Sequence, residues 1–134
     1  MSLLMADNNY ISSIAELKIA NLKVENGNIK DGLLDLEKLT DDKKYDPIIA
    51  DLATYFLLLL KIDNSSEEEF MSYLTDERIR ESNFKYLFNE LISFKKLILG
   101  KNEESKKNFQ YLIDTPDVPV EIKIRANKFI EIIN

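Results

Sequence analysis

Residues 46–63 read Asp-Pro-Ile-Ile-Ala-Asp-Leu-Ala-Thr-Tyr-Phe-Leu-Leu-Leu-Leu-Lys-Ile-Asp, and few folds can accommodate such a stretch. Asp46 suits a helix N-cap and Pro47 the first helical position, where its missing N–H has no partner to lose. From residue 48 to 62 the helix is apolar almost all the way round, apart from Asp51, Thr54 and Lys61. A surface helix keeps one apolar stripe, so this one must be covered on several sides. It is also short of the roughly 20 apolar residues that a bilayer demands. The rest of the chain has to supply the cover, which predicts a compact helical domain with residues 46–63 at its centre.

Little else in the composition permits a different class. Three glycines and three prolines in 134 residues leave few turns for an all-β fold. A net charge of −6 argues against a nucleic-acid surface, which rests on clustered Lys and Arg. The pairs Lys43-Lys44, Lys95-Lys96 and Lys106-Lys107 are interspersed with acids and read as solvated helix faces. Histidine and cysteine are both absent, which removes Cys–His and Ser–His–Asp nucleophile systems and thiolate–imidazole zinc sites. No loop has the alternating Asp/Asn spacing of a calcium site, so the expectation is no cofactor and no metal. The start lacks the basic and apolar segments of a signal peptide. Residues 1–6 read as a cloning scar or disordered start, and 7–134 as a single domain.

Helical punctuation then divides the chain. A first helix runs from about residues 7–9 to Glu25, with one stripe at Tyr10, Ile14, Leu17 and Val24. A second stripe at Ile11, Ala15, Ile19 and Leu22 predicts a second neighbour. Asn26-Gly27 closes it with a left-handed cap, and a second helix over 28–39 follows so soon that the two must form a hairpin. Ser66 with Glu69 is a capping box, and the acids Glu67, Glu68 and Glu69 are explained by a helix first turn rather than by a site. Residues 76–83 are either a loop or an early start to the next helix, with Arg78 and Arg80 as solvated ion pairs. Helices over 84–99, from Asn102 as N-cap, and over 120–133 complete seven. Gly27 and Gly100 are expected at positive φ, and Gly32 is expected to face the first helix near Ala20.

The pattern repeats. Ile19-Ala20, Gly27, Gly32, Leu36 and Leu39 recur as Ile92-Ser93, Gly100, Ser105, Phe109 and Leu112, and Leu52-Ala53 stands at the same place in the central helix. Small residues let the helices of a hairpin approach, while large ones fill the gap to the next hairpin. This spacing resembles the tetratricopeptide (TPR) repeat, without the consensus tryptophan and with most consensus tyrosines missing. The resemblance implies an all-α, α–α superhelix of three degenerate TPR-like hairpins plus a C-terminal capping helix. Gly27-Asn28, the segment Ile49-Ala50-Asp51-Leu52-Ala53 and Arg125-Ala126-Asn127-Lys128-Phe129 resemble the TPR-like domain of YfgM-like bacterial inner-membrane proteins. That likeness implies a periplasmic domain behind a membrane span, associated with the Sec translocon and its chaperones; a cytoplasmic home is the alternative.

The functional expectation is a non-enzymatic interaction domain with a protein or peptide partner. First helices of stacked hairpins line the concave side. One residue past each small position this gives Asn21, Thr54 and Phe94, with Glu25 and Leu58 one turn further and Glu90 one turn before Phe94. A carboxylate enzyme is the alternative in another class, although spacing does not single out Glu16, Asp51 or Glu90. A homodimer burying apolar faces is the third.

Overall fold

Residues 3–133 of the chain are described here by a computed structural model, with side chains from residue 10 onward. Helix accounts for 76% of the chain, and no strand occurs among the described residues. Among the described residues there are eight helices rather than seven: α1 (Leu3–Glu25), α2 (Ile29–Leu39), α3 (Pro47–Lys61), α4 (Glu67–Ser72), α5 (Asp76–Arg80), α6 (Lys85–Ile98), α7 (Asn102–Asp114) and α8 (Val120–Ile133). The extra helix is α5, in the stretch that the sequence left open. Thr75 caps it, its hydroxyl accepting from the Arg78 N–H at 3.2 Å. Of residues 1–6, residues 1 and 2 lie outside those described, and residues 3–6 belong to α1, which begins earlier than Asp7. The helices gather into two compact units, Met1–Leu60 and Lys61–Asn134.

In the first unit, α1 and α2 form the expected hairpin. Asn28 N–H reaches back to the Lys23 carbonyl and Gly27 N–H to that of Val24, the paired bonds of a Schellman turn, with Gly27 at φ 90°. The helices then close to backbone contact. A methyl group added at Gly32 would lie 2.9 Å from the Ala20 carbonyl oxygen and 2.5 Å from a Val24 methyl, so only glycine fits there unstrained. Asp46 accepts from the Ile48 N–H at 2.9 Å and caps α3 behind Pro47, as its sequence requires.

The second unit repeats this hairpin. Lys101 N–H reaches the Lys96 carbonyl, Gly100 N–H that of Leu97, and Gly100 sits at φ 78°. Asn102 is the first residue of α7 and not its cap; the flanking residue is Lys101, with no side-chain cap bond. Where Gly32 touches the Ala20 carbonyl, Ser105 donates its hydroxyl to the Ser93 carbonyl at 2.8 Å. The two hairpins are in register at a constant shift, Gly27 to Gly100, and without a gap that shift carries α3 onto α8 as well. Leu17 and Glu90, Ala20 and Ser93, Leu36 and Phe109, Leu39 and Leu112, Ile49 and Ile122, and Ala53 and Ala126 are all buried pairs under it. The two units thus share the hairpin, and along the shift their interior positions are matched in burial though not always in chemistry.

Unit two adds α4 and α5 ahead of that pattern. Ser66 caps α4 by accepting from Glu69 N–H at 3.1 Å; the Glu69 carboxylate does not close the box but turns to Lys61 at 2.8 Å. Phe70 is fully buried. Two basic residues read as solvated are interior. Lys95 is 2% exposed and donates to the carbonyls of Ile62 and Ser65, both at 2.6 Å, with its ammonium 5.7 Å from the Phe70 ring centre. Arg78 is buried and donates to the Tyr73 carbonyl at 3.0 Å. In both cases a cation satisfies carbonyls just beyond a helix end, which have no partner inside the helix.

Candidate functional site

The residues proposed to line a groove fall into three groups. Thr54 and Leu58 are fully buried in α3, and the Thr54 hydroxyl bonds back to the Ala50 carbonyl at 2.7 Å, so neither offers surface to a partner. Glu90 is 4% exposed and both its oxygens accept from Arg125, at 2.8 and 2.9 Å. Asn21 and Phe94 are half-buried, and Glu25 is exposed. The rule that chose these positions tracks a helix face but says nothing about what covers it. In α3, where nearly every direction is apolar, cover extends to that face too.

Around Phe94 the structure shows what this hairpin surface accepts. Its ring meets Phe129 of α8 edge-on at 4.6 Å and Phe109 of α7 at 5.4 Å, while Phe109 and Phe129 stack at 5.5 Å. Leu112, Val118, Ile122 and Ala126 complete the core beneath them. One turn before Phe129, Arg125 makes its fork with Glu90. An amphipathic helix therefore seats on α6 and α7 through an aromatic anchor and a bidentate ion pair four residues apart. At the corresponding places in unit one stand Leu17 and Leu52, two apolar residues where unit two has an acid and a base. Sequence reasoning missed Arg125 as the partner of Glu90. The register was the available signal, because both members of the pair depart from leucine together.

The remaining charges form a staple. Glu67 accepts from Lys101 at 2.6 Å and from Lys96, tying the start of α4 to the α6–α7 turn. These hydrogen bonds, Lys101's first, hold the Glu67 carboxyl down at about 2. In unit one, Lys23 bonds Asp35 at 2.6 Å across the hairpin, which raises the lysine above its ordinary value.

The Glu90 carboxylate is fully engaged with Arg125. Glu16 lines a shallow depression of about 170 Å³ with Ile19, Asp35, Lys38 and Leu39, smaller than the pockets that hold drug-sized ligands. Asp51 is buried within α3. Among the described residues, no group of three or more acids could hold a metal ion, and no helix is long and apolar enough to cross a membrane. Comparison with protein-family models, characterised proteins and solved structures finds no match to this chain.

Proposed function

We propose that this chain is a non-enzymatic protein–protein interaction domain, a TPR-like scaffold of degenerate helical hairpins. The observation that carries this reading is the repeated hairpin, with its Schellman turn and its close-packed small position recurring in register. Repeats of that kind present the same surface position more than once, which is how a solenoid addresses an extended partner. Here the recurring exposed position is Glu25 in α1 and Ile98 in α6, one turn past Asn21 and Phe94, of which Phe94 is covered by Phe129 of α8. The seating of α8 through Phe129 and Arg125 indicates the kind of ligand such a hairpin takes, an amphipathic helical segment.

The YfgM-like resemblance narrows the reading to a domain at the periplasmic face of an inner membrane, beside the Sec translocon. Its three segments serve structural ends here: Gly27-Asn28 turns the first hairpin, Ile49 and Ala53 sit in the core, and Arg125 and Phe129 seat α8. Affinity capture from the source cells tests the proposal, using the full-length protein and an Asn21→Arg/Glu25→Arg variant. The expected result is a polypeptide enriched with the parent and lost with the variant, at equal thermal stability. Equal recovery with both proteins would refute the assigned face.

A further inference from the structure

Asn26-Gly27 is the only Asn-Gly pair in the chain, and it stands where α1 gives way to α2. Both residues are exposed, and a methyl group built on Gly27 would meet nothing within 4 Å. That combination suits one covalent reaction. With no Cβ to hinder it, the Gly27 backbone nitrogen can reach the side-chain carbonyl carbon of Asn26. The turn at Gly100 is also at positive φ with the same pair of bonds, but Leu99 stands in place of Asn26, so it cannot cyclise.

The folded turn opposes the reaction. Three successive N–H groups are held: that of Asn26 by the Leu22 carbonyl at 3.0 Å, Gly27 by Val24 at 3.1 Å and Asn28 by Lys23 at 2.8 Å. The attacking nitrogen must give up its proton, and with it the bond to Val24. Closing the ring also rotates the Asn26 peptide out of the geometry that the neighbouring bonds need. Reaction therefore waits on a local opening of the turn, and openings at helix ends cost less than global unfolding.

We infer that Asn26 is a self-modification site, restrained by the hairpin turn and loosening that turn once it has reacted. The Gly27 nitrogen bonds to Asn26 Cγ and passes its proton, through solvent, to the leaving amide nitrogen; the Cγ–Nδ2 bond breaks and ammonia departs. Water then opens the cyclic imide. Breaking its bond to Cγ gives aspartate, and breaking its bond to the main-chain carbonyl gives isoaspartate, whose backbone is longer by one methylene. That methylene puts the Gly27 and Asn28 N–H groups out of register with Val24 and Lys23. Either product adds a carboxylate beside Glu25 at the C-terminal end of α1, where the helix dipole disfavours negative charge. The effect reaches the packing, because this turn holds α1 and α2 at the close approach that Gly32 permits.

Peptide mapping by mass spectrometry of the intact chain, aged at mildly alkaline pH, tests the inference. In denaturing guanidinium, amide-to-acid conversion should appear at Asn26 ahead of every other asparagine. It should also run about tenfold or more faster there than in native buffer, since no turn has to open. After refolding, the converted chain should melt at a lower temperature than before treatment. Asn26→Leu, which copies Leu99, should keep its own melting temperature through the same treatment. Conversion no faster at Asn26 than elsewhere under denaturant overturns the inference. So do equal rates with and without denaturant, or a chain converted at Asn26 that melts as it did before.

Discussion

Replacing Gly32 with alanine sets two known effects against each other. In an exposed helix the change stabilises by about 1 kcal/mol, because glycine is the poorer helix former. At Gly32 the added methyl would stand 2.5 Å from a Val24 methyl, 2.9 Å from the Ala20 carbonyl oxygen and 3.3 Å from the Val24 nitrogen. Carbon atoms pack at about 3.5–4.0 Å, so the first contact is about 1 Å too close. Val24 cannot simply rotate away, since a β-branched residue in a helix has one strongly preferred rotamer. The Ala20 oxygen moves only if α1 moves. Relief must come from α2 stepping back, at an overpacking cost of about 1–3 kcal/mol. Subtracting the propensity gain leaves Gly32→Ala neutral to destabilising by about 2 kcal/mol, and Gly32→Leu costing more. Urea unfolding followed by far-UV circular dichroism reads this directly. An alanine variant stabilised by the full helix-propensity increment would refute the close approach of α1 and α2.

Further outcomes follow from the same geometry. Gly27→Ala and Gly100→Ala should each destabilise by about 1 kcal/mol, because both glycines hold positive φ in their turns; a neutral result in urea unfolding would contradict the caps. Arg125→Ala should cost about 1–2 kcal/mol, discounted for the 43% exposure of its side chain, by leaving the Glu90 carboxylate buried. Glu90→Leu/Arg125→Leu, which copies the unit-one residues Leu17 and Leu52, should restore or exceed the parent stability in the same assay. Because the Glu67 carboxyl is lowered to about 2 from 4.5, its stabilising contribution is full above pH 4.5 and is lost as pH falls toward 2. Acid unfolding of Glu67→Gln should therefore show a weaker dependence on pH across that window than the parent. Phe94→Ala should lower stability outright, since its ring is packed between Phe109 and Phe129, and a melting temperature equal to the parent's would contradict that packing.

How much of this was legible in the sequence depended on whether the signal was local. The glycine turns, the Asp46 and Ser66 caps and the glycine at 32 were readable because each follows from backbone geometry within one or two turns. The second stripe of α1 was also visible, but its neighbour was not: periodicity reports that a face is apolar, not whether another helix covers it. Lys95 and Arg78 were misread for the same reason. A lysine among acids is usually solvated, and only the fold brings the carbonyls at 62 and 65 within reach of Lys95. For the candidate groove, Thr54, Leu58 and Glu90 failed because position on a helix fixes direction, while burial depends on packing from other elements. Glu25 and Asn21 kept accessible surface because α1 is covered on one side only.

Whether the recurring first-helix surface meets a polypeptide partner can be read by site-specific photo-crosslinking in the source cells. A photoreactive phenylalanine analogue is placed at Asn21, Glu25 or Ile98, with Lys107 and Glu121 as exposed control positions. One discrete crosslinked species is expected, shared by the first three positions and absent from the two controls. Crosslinking that is absent throughout, or as strong at Lys107 and Glu121 as at Asn21, would contradict it.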